Sequence, residues 1–170
     1  MSLIPFNQLP DDARLWVFNA ERPLDSSELA RLDEALAGFV TSWAAHRKDL
    51  TAAYELRYNQ FIFIGVDESR LPPSGCSIDS LVRALGSFGA ELGAELLDAP
   101  DVAYRDGDAV RAVNRREFTR LAETGAVNAG TIVFDKTAAR VGDLRNGRWE
   151  RPARESWHGR AFDLKEEETA

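Results

Sequence analysis

The chain's single cysteine, Cys76, lies in the segment 74–80, where a proline-containing loop leads into a predicted helix. Free backbone N–H groups and the positive end of the helix dipole gather at such a position, and both favour a thiolate over a thiol. A thiolate is a nucleophile near neutral pH, and the same amides can bind an anion or stabilise an oxyanion. The alternative is that Cys76 is a small buried hydrophobic residue.

A catalytic thiolate needs a base, and the two histidines, His46 and His158, are the candidates. We expect His46 at the end of the first helix, which in an antiparallel split βαβ sheet lies at the same end as the start of the second helix and therefore near Cys76. His158 could close the same site from the C-terminal part of the chain. The alternatives are that His46 compensates the helix dipole and that His158 lies at the polar margin of a packed Trp157.

Carboxylates at the same end of the sheet could orient the base. Asp67 and Glu68 follow the most hydrophobic stretch of the chain, and Asp79 is three residues after Cys76. A cysteine–histidine pair with a carboxylate would fit nucleophilic catalysis, and Arg47 adds positive charge. The remaining residues predicted to line this ligand pocket, which could equally be simple helix-capping residues, are Ser74, Gly75 and Ser77.

A second polar group, Glu55, Arg57 and Asn59, lies on or beside one strand face and is better explained as a solvated face, although it could bind a polar ligand if that face is open. A metal site is not predicted, because the chain has no HxxxH or HExxH motif and only one cysteine. No cofactor is predicted either, since the phosphate-binding motif GxxxxGK[ST] does not occur.

Composition narrows the function classes further. The chain has 170 residues, of which 44% are hydrophobic, and a net charge of -7. This charge argues against a nucleic-acid partner, and no apolar run is long enough for a membrane span. The N-terminus lacks the pattern of a signal peptide, so we expect a cytoplasmic protein. An acidic surface with 3 Lys but many Arg is typical either of GC-rich coding or of adaptation to high salt.

The elements that must position these residues follow from hydrophobic periodicity. Strands are predicted at 15–18, 53–58, 61–66, 102–105, 109–113 and 131–134, the third being central and covered on both faces. Helices are predicted from about residue 26 to His46, from about Cys76 to Leu96, and over 115–123. Gly86, Gly89 and Gly93 would allow the second helix to pack closely on the sheet.

This order predicts an α+β fold, a ferredoxin-like split βαβ sandwich (βαββαβ) with a C-terminal helix and strand extension. Residues 1–163 would form a single domain, with the βαββαβ core at 14–113 and the extension at 114–163. Residues 164–170 would be an acidic, solvated tail. The competing prediction is a mixed sheet with helices on both faces.

Five segments of the chain, namely 43–46, 66–68, 74–80, 131–134 and 156–160, make it resemble a family of small bacterial proteins. Members of this family often carry the label "ABC transporter ATPase". The motifs of that activity are absent here, since neither a GxxxxGK[ST] loop nor an LSGGQ signature occurs. The resemblance implies no catalytic residues.

The sequence therefore predicts a protein with a pocket for a small molecule or an anion at the start of the second helix. In that pocket Cys76 would be the nucleophile for acyl transfer or hydrolysis, with His46 or His158 as the base. The first alternative is a non-catalytic ligand-binding or protein-interaction module that forms a homodimer through the sheet face left bare by the helices. The second alternative is the ATPase of the family label.

Overall fold

The computed structural model describes residues 1–167, so the last three residues of the predicted acidic tail, 168–170, lie outside the described residues. The strands are β1 (Arg14–Asn19), β2 (Ala44–Ala45), β3 (Lys48–Asp49), β4 (Ala52–Arg57), β5 (Phe61–Val66), β6 (Val102–Asp106), β7 (Ala109–Val113), β8 (Ile132–Phe134) and β9 (Glu150–Pro152). The helices are α1 (Ser26–Thr41), α2 (Gly75–Leu92), α3 (Arg115–Glu123), α4 (Val141–Arg145) and α5 (His158–Ala161). The α+β class is thus confirmed.

The first sheet is antiparallel with the strand order β1-β5-β4. β5 lies between β1 and β4, which α1 connects, so the first half of the chain does form a split βαβ unit. All six residues of β5 are buried, which confirms the prediction of a central strand covered on both faces. Ile62 and Ile64 face the core formed with α1 and α2, whereas Phe61 and Phe63 face the opposite core.

The ferredoxin-like arrangement of the whole core is not confirmed. It requires β6 to join the first sheet beside β1, but β6 pairs with β7 and β8 in a second sheet of order β7-β6-β8-β9. The inner faces of the two sheets pack against each other, with Phe61 and Phe63 on one side and Phe134 and Trp149 on the other. α3 and the segment around α5 cover the outer face of the second sheet. The layers therefore run helices, sheet, sheet, helices.

The first helix ends earlier than predicted. It stops at Thr41, and β2 and β3 form a short hairpin whose turn contains His46 and Arg47, with φ of 51° and 66°. Trp43 has helical spacing from Phe39, but it is buried just after the helix, where its Nε1 donates to the Ser77 carbonyl at 2.9 Å. The prediction that α1 carries His46 is therefore wrong.

The glycines in and just after α2 allow the following chain to turn and to pack closely against the helix. Gly93 ends α2 in the left-handed conformation, with φ of 67°. A Cβ at Gly89 would lie 2.7 Å from the Ala94 carbonyl oxygen, and one at Gly86 would contact Leu97. Close packing is thus required, but against residues 94–97 rather than against the sheet.

The C-terminal part of the chain is closely attached to the second sheet. Leu164 packs with the outer core, and the Lys165 carbonyl accepts a hydrogen bond of 2.7 Å from the Ala129 amide. Arg154 forms an ion pair of 3.7 Å with Glu166. Within residues 1–167, the structure contains no helix long and apolar enough to cross a membrane.

Candidate functional site

Cys76 is the second residue of α2, and its side chain is exposed. The helix begins there because Ser74 caps it, its Oγ accepting from the Ser77 amide at 3.1 Å. Ser77 is buried, while Gly75 is exposed. The sequence thus predicted the position of Cys76 at a helix N-terminus correctly. Over residues 1–167, however, neither histidine forms a hydrogen bond with the thiol.

His46 lies at the tip of the β2–β3 hairpin and is exposed, as is Arg47 beside it. The hairpin packs beside the first turn of α2 through the bond from Trp43 to Ser77. His46 is therefore on an element that packs beside the start of α2, and the described residues show no hydrogen bond between His46 and Cys76.

His158 lies in the outer core of the second sheet, on the far side of both sheets from α2. Its side chain is completely buried, and its Nδ1 contacts the Ser156 hydroxyl while its Nε2 has no hydrogen-bond partner in the described chain. Burial lowers the pKa of His158 to about 4. The prediction that His158 could close the site of Cys76 is wrong, because the two sheets separate them.

The predicted carboxylates fall into different surroundings. Asp67 is buried and organises the turn after β5, accepting from the amide and the hydroxyl of Ser69 at 3.1 and 2.6 Å. Asp79 is exposed on α2. Glu68 lies in a groove on the opposite side of β5 from β4, beside β1. The structure therefore does not bring these three carboxylates together at Cys76.

In the second polar group, Glu55 and Arg57 interact with other side chains of the protein. Glu55 and Arg57 form an ion pair, and the Arg57 guanidinium lies 5.0 Å from the ring centroid of Phe63. Asn59 occupies the β4–β5 turn with φ of 58°. These contacts support the interpretation as a strand surface rather than as a ligand site.

The groove that contains Glu68 has a volume of about 460 Å³ and runs along β1. One wall is β1 itself, and the other is the segment 136–140, which leads into α4. The two walls meet at one end, where Arg14 and Arg140 form an antiparallel bridge, and separate toward Phe18 and Lys136. A smaller depression of about 430 Å³, which adds Asp12 and Ser69, continues beyond Glu68 and Arg140.

Two arginine side chains line the closed end of the groove. The guanidinium groups of Arg14 and Arg140 both contact the single carboxylate of Glu68, at 3.5 and 3.4 Å. Arg14 also lies over the Trp16 ring, 4.5 Å from its centroid. In the lining of the groove itself this end has two guanidinium groups and one carboxylate, and the Asp12 carboxylate lies in the adjoining depression.

Lys136 supplies a further cation at the open end. Its Nζ donates to Asn19 Oδ1 at 2.6 Å and to the Pro100 carbonyl at 3.3 Å, both of which are neutral acceptors. Among residues 1–167 it forms no ion pair, and burial lowers its pKa although Asp101 opposes this shift. Lys136 is thus a half-buried ammonium group that an incoming anion would stabilise.

Sequence reasoning missed most of this groove. Of its charged residues only Glu68 was a candidate, whereas Arg14, Lys136 and Arg140 were not. The one available signal was the position of Lys136, one of 3 lysines in the chain, two residues after the predicted strand 131–134. Nothing local connects it with Arg14, which is more than a hundred residues away.

The described part of the chain holds no group of three or more His, Cys, Asp or Glu side chains placed to bind a metal ion. No protein-family model matches the chain, and no curated protein or solved structure shows significant similarity to it.

Proposed function

We propose that this protein is a non-catalytic binding protein that holds an anionic ligand in the groove between β1 and the segment 136–140. The observation that supports this most is the charge of the groove lining, which contains three cations, Arg14, Lys136 and Arg140, and one carboxylate, Glu68. On a chain with a net charge of -7, such a concentration of positive charge is a local exception.

The groove also has the composition of a binding site. Half-buried Trp16 and Phe18 provide apolar surface beside the charged groups, and the backbone of β1 holds them in place. Carboxylate and phosphate groups are the ligands that guanidinium and ammonium groups bind best. A ligand that carries such groups would pair with Lys136, Arg14 and Arg140.

The test uses citrate as the probe in a low-salt buffer. We expect citrate to shift the backbone amide resonances of residues 14–18 and 136–140, and to raise the melting temperature. Arg14→Gln and Lys136→Gln should each weaken citrate binding at least fivefold, because each removes one cation from the groove.

The matched control is Arg83→Gln, which removes one exposed arginine from α2, away from the groove. Binding of citrate to this variant should equal that of the unmodified protein. Equal weakening by all three substitutions would show a general effect of net charge and contradict the proposal, as would the absence of any shift in the groove. Circular dichroism melts show whether each variant is folded.

Thiol-dependent acyl transfer or hydrolysis at Cys76 remains a less supported prediction. The thiol is exposed at a helix N-terminus, as that mechanism requires, but no base or orienting carboxylate contacts it in the described residues. The ATPase of the family label and a cytoplasmic location also remain predictions.

A further inference from the structure

The backbone of β1 is only partly paired on the side of the groove. β5 pairs with the whole of β1 on the other side. On the groove side, the Leu15 amide donates to the Ala139 carbonyl and the Val141 amide donates to the Ala13 carbonyl, each at 2.9 Å. These two bonds flank the bridge between Arg14 and Arg140, and they cover only the beginning of the strand.

Beyond this bridge the backbone of Val17 is unpaired on the groove side within residues 1–167. In an antiparallel ladder, alternate residues direct both backbone groups to the same side, so Val17 shares the direction of Leu15 and faces the groove. In the part of the chain that the structure describes, no backbone hydrogen bond involves the N–H or the C=O of Val17 on this side. The chain that could have paired there turns away, because the Thr137 amide donates to Asp135 Oδ1 at 3.0 Å instead.

We infer that the ligand of the groove is an extended acidic peptide segment that pairs with the open edge of β1 at Val17, an inference that rests on the proposed function. A small anion would use the cations but would leave the backbone groups of Val17 unused. An extended peptide satisfies both, since its main chain supplies the hydrogen bonds and its side chains supply the negative charge. It would continue the ladder that Ala139 and Val141 begin.

The charges at the two ends of the groove define where the acidic residues of the peptide must lie. The Leu15 amide is already bonded to the Ala139 carbonyl, so the peptide can pair at Val17 but not beside Leu15. Arg14 and Arg140 lie on the closed side of Val17, and Lys136 lies near Asn19 on the other side. The best ligand should therefore carry Asp or Glu on both sides of the residue that pairs with Val17.

A second copy of this chain fits the same edge less well. Pairing β1 with β1 would bring two sets of Arg14, Lys136 and Arg140 together, and like charges across a strand pair repel. β1 itself (Arg14–Asn19) contains no acidic residue, so the β1 of a second copy could not compensate these cations. The occupant that the charges favour is therefore a different, acidic chain.

The test compares three blocked pentapeptides, EVTVE, QVTVQ and EVPVE, and adds citrate as before. The second peptide lacks the charges, and the third replaces the central residue with proline, which cannot donate a main-chain hydrogen bond. We expect EVTVE to bind at least tenfold more tightly than either control, and to slow hydrogen exchange of the Val17 amide. Arg14→Gln and Lys136→Gln should each weaken the binding of EVTVE at least fivefold, whereas Arg83→Gln should leave it unchanged.

The outcomes separate the two proposals. Equal binding of EVTVE and EVPVE, or unchanged exchange at Val17, would overturn strand pairing. Binding of citrate without any binding of EVTVE would support the proposal of an anion-binding groove and overturn the proposal of a peptide ligand. If neither binds, both proposals fail. Sedimentation at increasing protein concentration tests the remaining alternative, a second copy of the chain. A dimer in which hydrogen exchange of the Val17 amide is slow without peptide would show that a second copy occupies the edge and would overturn the peptide proposal.

Discussion

The imidazole ring of His158 stacks on the indole ring of Trp157, with 3.9 Å between the ring centroids. Phe118 and Phe162 complete the surroundings of the imidazole, which is completely buried. Its Nε2 has no hydrogen-bond partner in the described chain, so a second proton there would be neither solvated nor paired. The folded protein therefore favours the neutral form of His158.

This relationship predicts that stability depends on pH. The pKa of His158 is lowered from 6.5 to about 4, so the unfolded chain binds more protons between these values. The contribution of the neutral His158 ring to the free energy of unfolding is fully present above pH 6.5. It falls as the pH drops toward 4 and is lost below pH 4. A shift of this size corresponds to about 3 kcal/mol in the free energy of unfolding. Urea denaturation at several pH values between 4 and 7 measures it.

His158→Gln should flatten the pH dependence in this range, because glutamine does not titrate. The control is His46→Gln, which changes an exposed histidine and should leave the dependence as it is. An NMR titration of the two imidazoles provides a direct reading in the unmodified protein. A His158 resonance that titrates near pH 6.5 would contradict the prediction even if the variant were unstable.

The carboxylate of Glu68 should compete with the ligand of the groove, since it occupies the guanidinium groups of Arg14 and Arg140. We expect Glu68→Gln to tighten citrate binding about threefold, because the substitution frees both arginines. Calorimetry measures the affinity, and Glu34→Gln, which neutralises an exposed glutamate on α1, controls for net charge. Weaker binding by Glu68→Gln would mean that Glu68 itself contacts the ligand.

Two glycines within helices should respond in opposite ways to alanine. Gly38 in α1 has open space around the position of a Cβ, so Gly38→Ala should stabilise the protein by roughly 0.5–1 kcal/mol through helix propensity. At Gly89 the new methyl group would lie 2.7 Å from the Ala94 carbonyl oxygen, so Gly89→Ala should destabilise it by about 1–3 kcal/mol. Urea denaturation of both variants gives the comparison, and equal effects would show that the chain after α2 can move aside.

The exposure of Cys76 predicts its reactivity and its small effect on stability. Ellman's reagent should modify one thiol per folded chain as completely as it does in urea, and Cys76→Ala should change the free energy of unfolding by less than about 0.5 kcal/mol. Cys76→Ala also serves as the blank for the reagent. A thiol that reacts only after unfolding would show that a part of the chain shields it.

Local signals were sufficient where neighbouring residues decide the structure. The continuous hydrophobic run of β5 predicted a strand covered on both faces, and it is one. The helix predicted over 115–123 is α3, which begins after Asn114 because the Asn114 Oδ1 accepts from the Glu117 amide at 2.8 Å. In both cases the determining contacts lie within a few residues of each other.

Local signals failed at the β2–β3 hairpin. Trp43 continues the apolar spacing of α1, and the turn residues His46 and Arg47 adopt positive φ without glycine or asparagine to indicate it. What ends the helix is the burial of Trp43 beside Ser77, thirty-four residues later. A contact between residues so far apart in the chain cannot be predicted from the residues around the turn.

The pairing of β6 and the groove along β1 are both long-range features. β6 has the composition of a strand that could join either sheet, and only its pairing with β8 decides between them. The groove exists because the segment 136–140 returns to β1 after the first sheet is complete and β8 has joined the second sheet. Residue types therefore predicted the strands, but not which of them would lie side by side.

The indole of Trp149 lies against Phe61, Phe63 and Phe134, at 5.0, 4.9 and 4.9 Å between ring centroids. It comes late in the chain, yet it fills the space between the two sheets. During synthesis on a ribosome, the face of the first sheet that carries Phe61 and Phe63 cannot be completely covered until Trp149 has left the exit tunnel. Completion of the fold should therefore be a late event, and chains truncated before that tryptophan should be recognised by chaperones that bind exposed aromatic surface.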